Sequence, residues 1–161
     1  MGSTTEAESA GVEALVRELL DREEIRDLAS RYVDCVWRRD VEGVVDLFAD
    51  DATLETDEFP PVTGRADLLD AYKMVFARDR LEPWVQNHIV DVDGDTATGR
   101  CFLDLRMVHD GKRLFGAGYY DDEYVRVDGR WRFGRRKVTM TTFWPAARRD
   151  KAESDGEGGV S

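Results

Sequence analysis

Among the side chains able to move a proton or hold developing charge, six stand on elements from which they could serve a pocket: Tyr32, Asp34, His88, Asp104, Arg106 and Arg136. Acid–base chemistry needs a proton acceptor in a dry pocket and a donor for negative charge that builds in the transition state. Five of them, Tyr32, Asp34, His88, Asp104 and Arg136, are the catalytic candidates. Tyr32 lies on an apolar helical stripe, either as a core tyrosine with a satisfied hydroxyl or as a pocket phenol. Asp104 stands among Phe102, Leu103, Leu105 and Met107. Either it points inward with a perturbed carboxyl, or it points outward and pairs with Arg106 or a cross-strand arginine. Arg136 shares a strand face with Val138 and Met140, and either reaches inward or joins the surface arginines of 132–137.

Other chemistry finds little support. There is no phosphate-binding glycine loop, no dinucleotide fingerprint and no Gly-x-Ser-x-Gly elbow. Gly116-Ala117-Gly118 lies inside a strand and reads as a bulge or a site of close packing. His88 and His109 are the two histidines, and His109, in Val108-His109-Asp110-Gly111, reads as a solvated turn residue. So few soft ligands predict no metal site. Asp91-Val92-Asp93-Gly94-Asp95 lacks the downstream Glu of a calcium loop and reads as a hairpin.

The elements that must position these residues fall into two halves. Val12, Leu15, Val16, Leu19 and Leu20 follow the helical period. Asp21 with Glu24 resembles a capping box. A second stripe of Ile25, Leu28, Ala29, Tyr32, Val33 and Val36 is out of phase with the first, which predicts a break or bend near Asp21. Asp40 can cap a short helix carrying Val44, Val45, Leu47 and Phe48. A short strand is expected at 52–55, a loop at Phe59-Pro60-Pro61, and an amphipathic helix at 64–77 with Leu68, Leu69, Tyr72, Met74, Val75 and Phe76 on its apolar side. Three Asp-Gly pairs then punctuate the chain at 93, 110 and 128. Asp-Gly suits tight hairpins, because both residues tolerate positive φ. Strands near 84–92, 96–108, 113–127 and 130–143 follow, joined as an antiparallel meander. Helices first and a meander second give an α+β fold. Strands this long must twist, and a curved sheet roofed by helices leaves a cone whose open end suits a small ligand.

The 161 residues suit one domain. Residues 1–11 and 146–161 hold too little apolar bulk to offset their ordering entropy and are expected to be disordered, leaving 12–145 as the folded part. With 23 Lys and Arg against 34 Asp and Glu, the net charge of −11 disfavours nucleic acid and anionic membranes as partners. No apolar run approaches the roughly 18 residues of a membrane span. No basic-then-apolar leader opens the chain. Cys35 and Cys101 read as reduced, buried thiols of a cytoplasmic protein. The outer face of the meander, with Trp131 and Phe133 placed opposite Arg136, predicts a homodimer.

The stretches Ile25-Arg26-Asp27-Leu28…Tyr32, Asp40-Val41-Glu42-Gly43…Leu47-Phe48-Ala49-Asp50-Asp51-Ala52, Gly64-Arg65-Ala66-Asp67-Leu68, Asn87…Val90-Asp91-Val92-Asp93-Gly94-Asp95, and Asp122-Glu123-Tyr124…Asp128-Gly129-Arg130-Trp131-Arg132-Phe133 carry a resemblance. Over about 20–145 the chain resembles SnoaL-like members of the nuclear-transport-factor-2-like superfamily. Its closing segment is most similar to the hexachlorocyclohexane dehydrochlorinase and bile-acid dehydratase branch, which also resembles scytalone dehydratase. The resemblance implies a cone-shaped α+β barrel: a curved antiparallel sheet around N-terminal helices, with a deep apolar pocket. It also implies cofactor-free dehydration, dehydrohalogenation, isomerisation or ring closure. In that branch an Asp on the long helix and a His on the first long strand act as the base, assisted by a Tyr and an Arg. Carried onto this chain, the Tyr falls on Tyr32 and the Arg on Arg136, but the Asp falls on Trp37 and the His on Pro83. Trp cannot accept a proton, and a general base contributes ~10²–10⁴-fold. Asp34, His88 and Asp104 are the replacements available. Trp37, Trp84, Asn87, Phe102, Met140 and Trp144 are expected to line the pocket for a planar apolar ligand. Two functions follow: a lyase, isomerase or cyclase acting on an apolar polycyclic or polyketide-like compound, or a small-molecule-binding or accessory protein that has lost the dyad.

Overall fold

The long N-terminal helix owes its continuity to composition. Residues 3–38 contain no proline and one glycine, so nothing interrupts the backbone ladder. The computed structural model describes residues 3–146 of the chain, and there α1 runs unbroken over Ser3–Arg38. Two expectations are corrected here. The helix begins inside the segment 1–11 assigned to disorder, and it runs through Asp21 without a break. The phase change between the stripes leaves the first one exposed instead. Asp21 is a buried acceptor, taking hydrogen bonds from Arg126 Nη2 at 2.8 Å and Trp131 Nε1 at 3.1 Å. It thereby ties α1 to the sheet. The tail expected at 146–161 lies, beyond Ala146, outside the described residues.

Asp40 caps α2 (Val41–Val45) by accepting from the Gly43 amide. That helix ends before the Leu47 and Phe48 expected on it: Leu47 accepts from the Phe133 amide and Phe48 opens strand β1 (Phe48–Glu55), which is longer than the 52–55 expected and pairs with the short β2 (Val62–Thr63). Helix α3 (Arg65–Arg78) buries Leu68, Ala71, Tyr72 and Phe76, while Met74 is exposed. The meander follows as β3 (Arg80–Asp93), β4 (Thr96–His109), β5 (Lys112–Val127) and β6 (Arg130–Pro145). Asp110, Gly111, Asp128 and Gly129 all take positive φ, as tight hairpins require; in the first turn only Gly94 does. The six strands form one curved, unclosed sheet in the order β2-β1-β6-β5-β4-β3, antiparallel except for β1 on β6. The helices roof its concave face. No described helix is long and apolar enough to cross a membrane.

Bulges decide which side chains face inward. On β3, Val85 pairs with Leu103 and His88 with Cys101, so three steps on one strand oppose two on the other. On β6, Phe133 pairs with Tyr124 and Arg135 with Glu123, which makes Gly134 the extra residue. An extra residue reverses the alternation beyond it. Trp131 and Phe133 are therefore buried on the same side as Arg136, not on the outer face. Gly116 and Gly118 are sites of close approach: a Cβ at Gly118 would meet the Thr139 carbonyl oxygen at 2.1 Å, and one at Gly116 would meet Met140 and Phe143 at 2.7 Å. The missing side chains leave room for Met140 and Phe143 on the concave face.

Candidate active site

The open end of the cone holds a cavity of about 260 Å³. Leu54, Leu103, Leu105, Val138, Met140 and Phe143 make its apolar walls, and Asp57, Glu58, Arg78 and Asp79 stand at its mouth. Tyr32 from α1 and Tyr72 from α3, both buried, close the inner end with their hydroxyls 3.0 Å apart. Burial and the neighbouring Tyr32 hold the Tyr72 phenol well above its ordinary range, so that hydroxyl keeps its proton at physiological pH.

Behind Tyr32 lies a second layer. Arg136 is completely buried and makes a bidentate pair with Asp122, at 2.8 Å from Nε and 2.7 Å from Nη2. Its guanidinium lies 4.2 Å from the Tyr32 ring centroid and 4.0 Å from those of Tyr120 and Phe133. The remaining nitrogen, Nη1, is buried with no hydrogen-bond partner. Burial works against the charge on Arg136, and the Asp122 carboxylate outweighs it. The network continues outward: Tyr124 Oη donates to Asp122 Oδ2 at 3.0 Å, and His88 Nε2 lies 3.0 Å from the same Oη. Because Tyr124 gives its one hydrogen to Asp122, His88 is the donor to it, the neutral tautomer with the proton on Nε2. Burial pushes the His88 pKa down to about 4, consistent with that state.

The sequence candidates scatter. Tyr32 and Met140 line the cavity. Arg136 was expected to border it and is instead sealed behind the Tyr32 ring. His88 faces the concave side because of the β3 bulge, but it serves the inner network rather than the cavity. Asp34 is exposed on α1 and paired with Arg38 at 2.8 Å, because it lies well away from Tyr32 around the helix. Asp104 takes the outward alternative; its partner is Gln86 Nε2, which donates to it, rather than an arginine. Trp84, Asn87, Phe102 and Trp144 alternate onto the outer, exposed face. Phe102 packs there on Tyr119, and Trp144 packs beside Phe115. Trp37 is partly exposed and donates from Nε1 to the Pro83 carbonyl at 2.8 Å, with its ring edge-on to Trp84. The two positions that the resemblance assigns to an acid–base dyad thus touch each other, but as a structural clasp between α1 and β3. Cys35 and Cys101 are buried and free, and burial pushes the Cys101 thiol up to about 11.

Sequence reasoning missed Tyr72, Tyr120, Asp122 and Tyr124 as parts of the site. A usable signal was present: Tyr120, Asp122 and Tyr124 recur at every second residue of one strand, hence on one face. It also missed the pairing of His109, which is not simply solvated. Its Nδ1 lies 2.6 Å from Oδ1 of the buried Asp79, whose Oδ2 accepts from Arg78. Arg78 also reaches Glu58 at 2.7 Å, so one ionic cluster ties the β4–β5 hairpin, α3 and the segment before β2 around the cavity mouth. The hydrogen bond to Asp79 raises the His109 pKa above its ordinary 6.5. A base whose folded pKa is raised contributes stability below the unfolded value and loses it as pH rises through the folded one. The thermal midpoint is therefore expected to fall as pH rises above 6.5, and substituting His109→Gln removes that component of the profile.

Comparison with known proteins supplies the family. A family model described as a SnoaL-like domain matches residues 17–137. The chain belongs to the SnoaL-like family. The uncharacterized Mycobacterium tuberculosis protein Rv2910c is 31% identical to this SnoaL-like chain over 134 residues, covering 77% of it and 88% of the relative. Among solved structures, the hexachlorocyclohexane dehydrochlorinase LinA-type3 of Novosphingobium barchaimii superposes with a TM-score of 0.76 at 24% identity, covering 82% of this chain and 94% of that one. A candidate scytalone dehydratase of Novosphingobium aromaticivorans gives 0.73 at 21%, covering 82% and 91%. At these identities the likeness is one of fold: the cone-shaped α+β barrel is shared, with the same curved, unclosed sheet.

Proposed function

We propose that this SnoaL-like protein is a cofactor-free lyase, isomerase or cyclase. Its substrate would be a small apolar molecule, polycyclic or polyketide-like, held in the cavity at the open end of the cone. The observation that carries this reading is the Tyr32–Tyr72 hydroxyl pair, 3.0 Å apart at the inner end of an otherwise apolar cavity. One hydroxyl can donate to the other, and the second then donates to a substrate carbonyl. That hydrogen bond strengthens as the oxygen gains negative charge. Arg136, 4.2 Å from the Tyr32 ring centroid, polarises the phenol from behind without touching substrate. With Trp37 and Pro83 at the dyad positions, ring closure is favoured over reactions that need a strong base. Holding a flexible chain in a near-attack fold supplies ~7–11 kcal/mol for an intramolecular step.

A second reading, a binding or accessory protein, draws on one observation: the Trp37–Pro83 hydrogen bond occupies the place of the dyad. One experiment separates the two. Small molecules released by denaturing the purified protein are identified by mass spectrometry, then returned to fresh protein. Conversion to a product, slowed about 10²-fold in Tyr32→Phe with binding retained, is the expected result. A ligand that binds and is recovered unchanged from the wild-type protein supports the second reading instead.

A further inference from the structure

The first half of α1 carries an apolar stripe that nothing in the described chain covers. Val12, Leu15, Val16, Leu19 and Leu20 are each 49–66% exposed. The second half of the same helix buries Ile25, Leu28, Ala29, Tyr32 and Val36 against the sheet. At about 100° per residue the two stripes lie roughly 150° apart. Because the helix is unbroken, the first stripe is fixed on the side facing away from its own domain. Residues 147–161 hold one large apolar residue, Val160, and cannot cover it. An anionic lipid surface is a poor match too, since residues 5–24 carry seven acidic residues against two arginines.

We propose that this stripe joins two copies of the chain, α1 against α1, antiparallel about a two-fold axis. The register that sets Val12 level with Leu19 of the second copy also sets Leu15 level with its Val16. The stripe is thus self-complementary, as an isologous contact requires. Five half- to two-thirds-exposed side chains amount to about 500 Å² of apolar surface per copy. Two such stripes face to face reach the small end of specific interfaces, which suits a weak, concentration-dependent association.

Sedimentation of the full chain over about 10–200 μM tests this. The expected result is a concentration-dependent rise toward twice the 18.3 kDa chain mass. Leu15→Glu with Leu19→Glu, at exposed positions, weakens association at least about tenfold with an unchanged circular dichroism spectrum. Phe102→Glu, on the outer sheet face, leaves it intact. A chain that stays monomeric throughout overturns the proposal. So does a dimer that survives the paired leucine substitutions and yields to Phe102→Glu, which would place the interface on the sheet.

Discussion

Replacing Asp122 by Asn is expected to cost about 3–5 kcal/mol of stability, the largest loss from any single polar substitution in this chain. The carboxylate is the sole hydrogen-bonding partner of Arg136 among the described residues, and both side chains are fully out of solvent. Removing its charge leaves a guanidinium stranded among three aromatic rings. Arg136→Met is expected to cost a similar amount, because it leaves Asp122 with the Tyr124 hydroxyl alone. Removing both, as Asp122→Leu with Arg136→Met, recovers most of the loss, since apolar replacements of a buried pair carry no stranded charge. Urea unfolding of the wild type and the variants decides it: a double variant less stable than Arg136→Met alone would count against the pair acting as one unit. Tyr32→Phe is for this reason the proper probe of catalysis, whereas Arg136 variants confound turnover with folding.

The second large effect is acid lability centred on His88. Burial holds the folded His88 pKa down at about 4, against 6.5 when exposed. The unfolded chain therefore binds this proton first. Stability from this group is complete above 6.5, declines as pH falls, and is exhausted below about 4. The difference amounts to about 3 kcal/mol across the window. His88→Gln keeps a side-chain N–H for the Tyr124 hydroxyl and does not titrate. The expected measurement is a wild-type stability that drops by this margin relative to His88→Gln between pH 6.5 and 4. Parallel profiles would mean that His88 is charged in the native state. The trend opposes that of His109, whose contribution fades on the alkaline side.

Much of the architecture was legible from turn chemistry alone. The Asp-Gly pairs at 110 and 128 fixed two hairpins, and the strand limits came out within a few residues apart from the early start of β3 at Arg80. The site was less legible because inward and outward are decided by bulges, which leave no plain mark in the sequence. Strict alternation put Trp131 and Phe133 on the outer face, and one extra residue on β6 reversed that; one extra residue on β3 is what turns His88 to the concave side. Helix phase failed differently. An abrupt change of apolar face implied a broken helix, but backbone continuity follows from the absence of proline, and the phase change records two different neighbours. Aromatic side chains misled most: Trp37, Trp84, Phe102 and Trp144 suggested a planar ligand, yet they pack on helix and strand exteriors. The cavity is walled largely by aliphatic residues and Met140.

Gly134 gives β6 a property that substitution studies alone would not reveal. It is the spare residue of a bulge: Phe133 faces Tyr124 and Arg135 faces Glu123 on either side of it, and nothing on β5 opposes it. Excising this one glycine would close the bulge and leave Arg136 and Val138 turned inward, with Arg135 and Lys137 still on the solvent side. Strand β6 should accordingly absorb the loss of one residue between Phe133 and Arg136 without exchanging its faces, at the cost of the local twist that the bulge supplies.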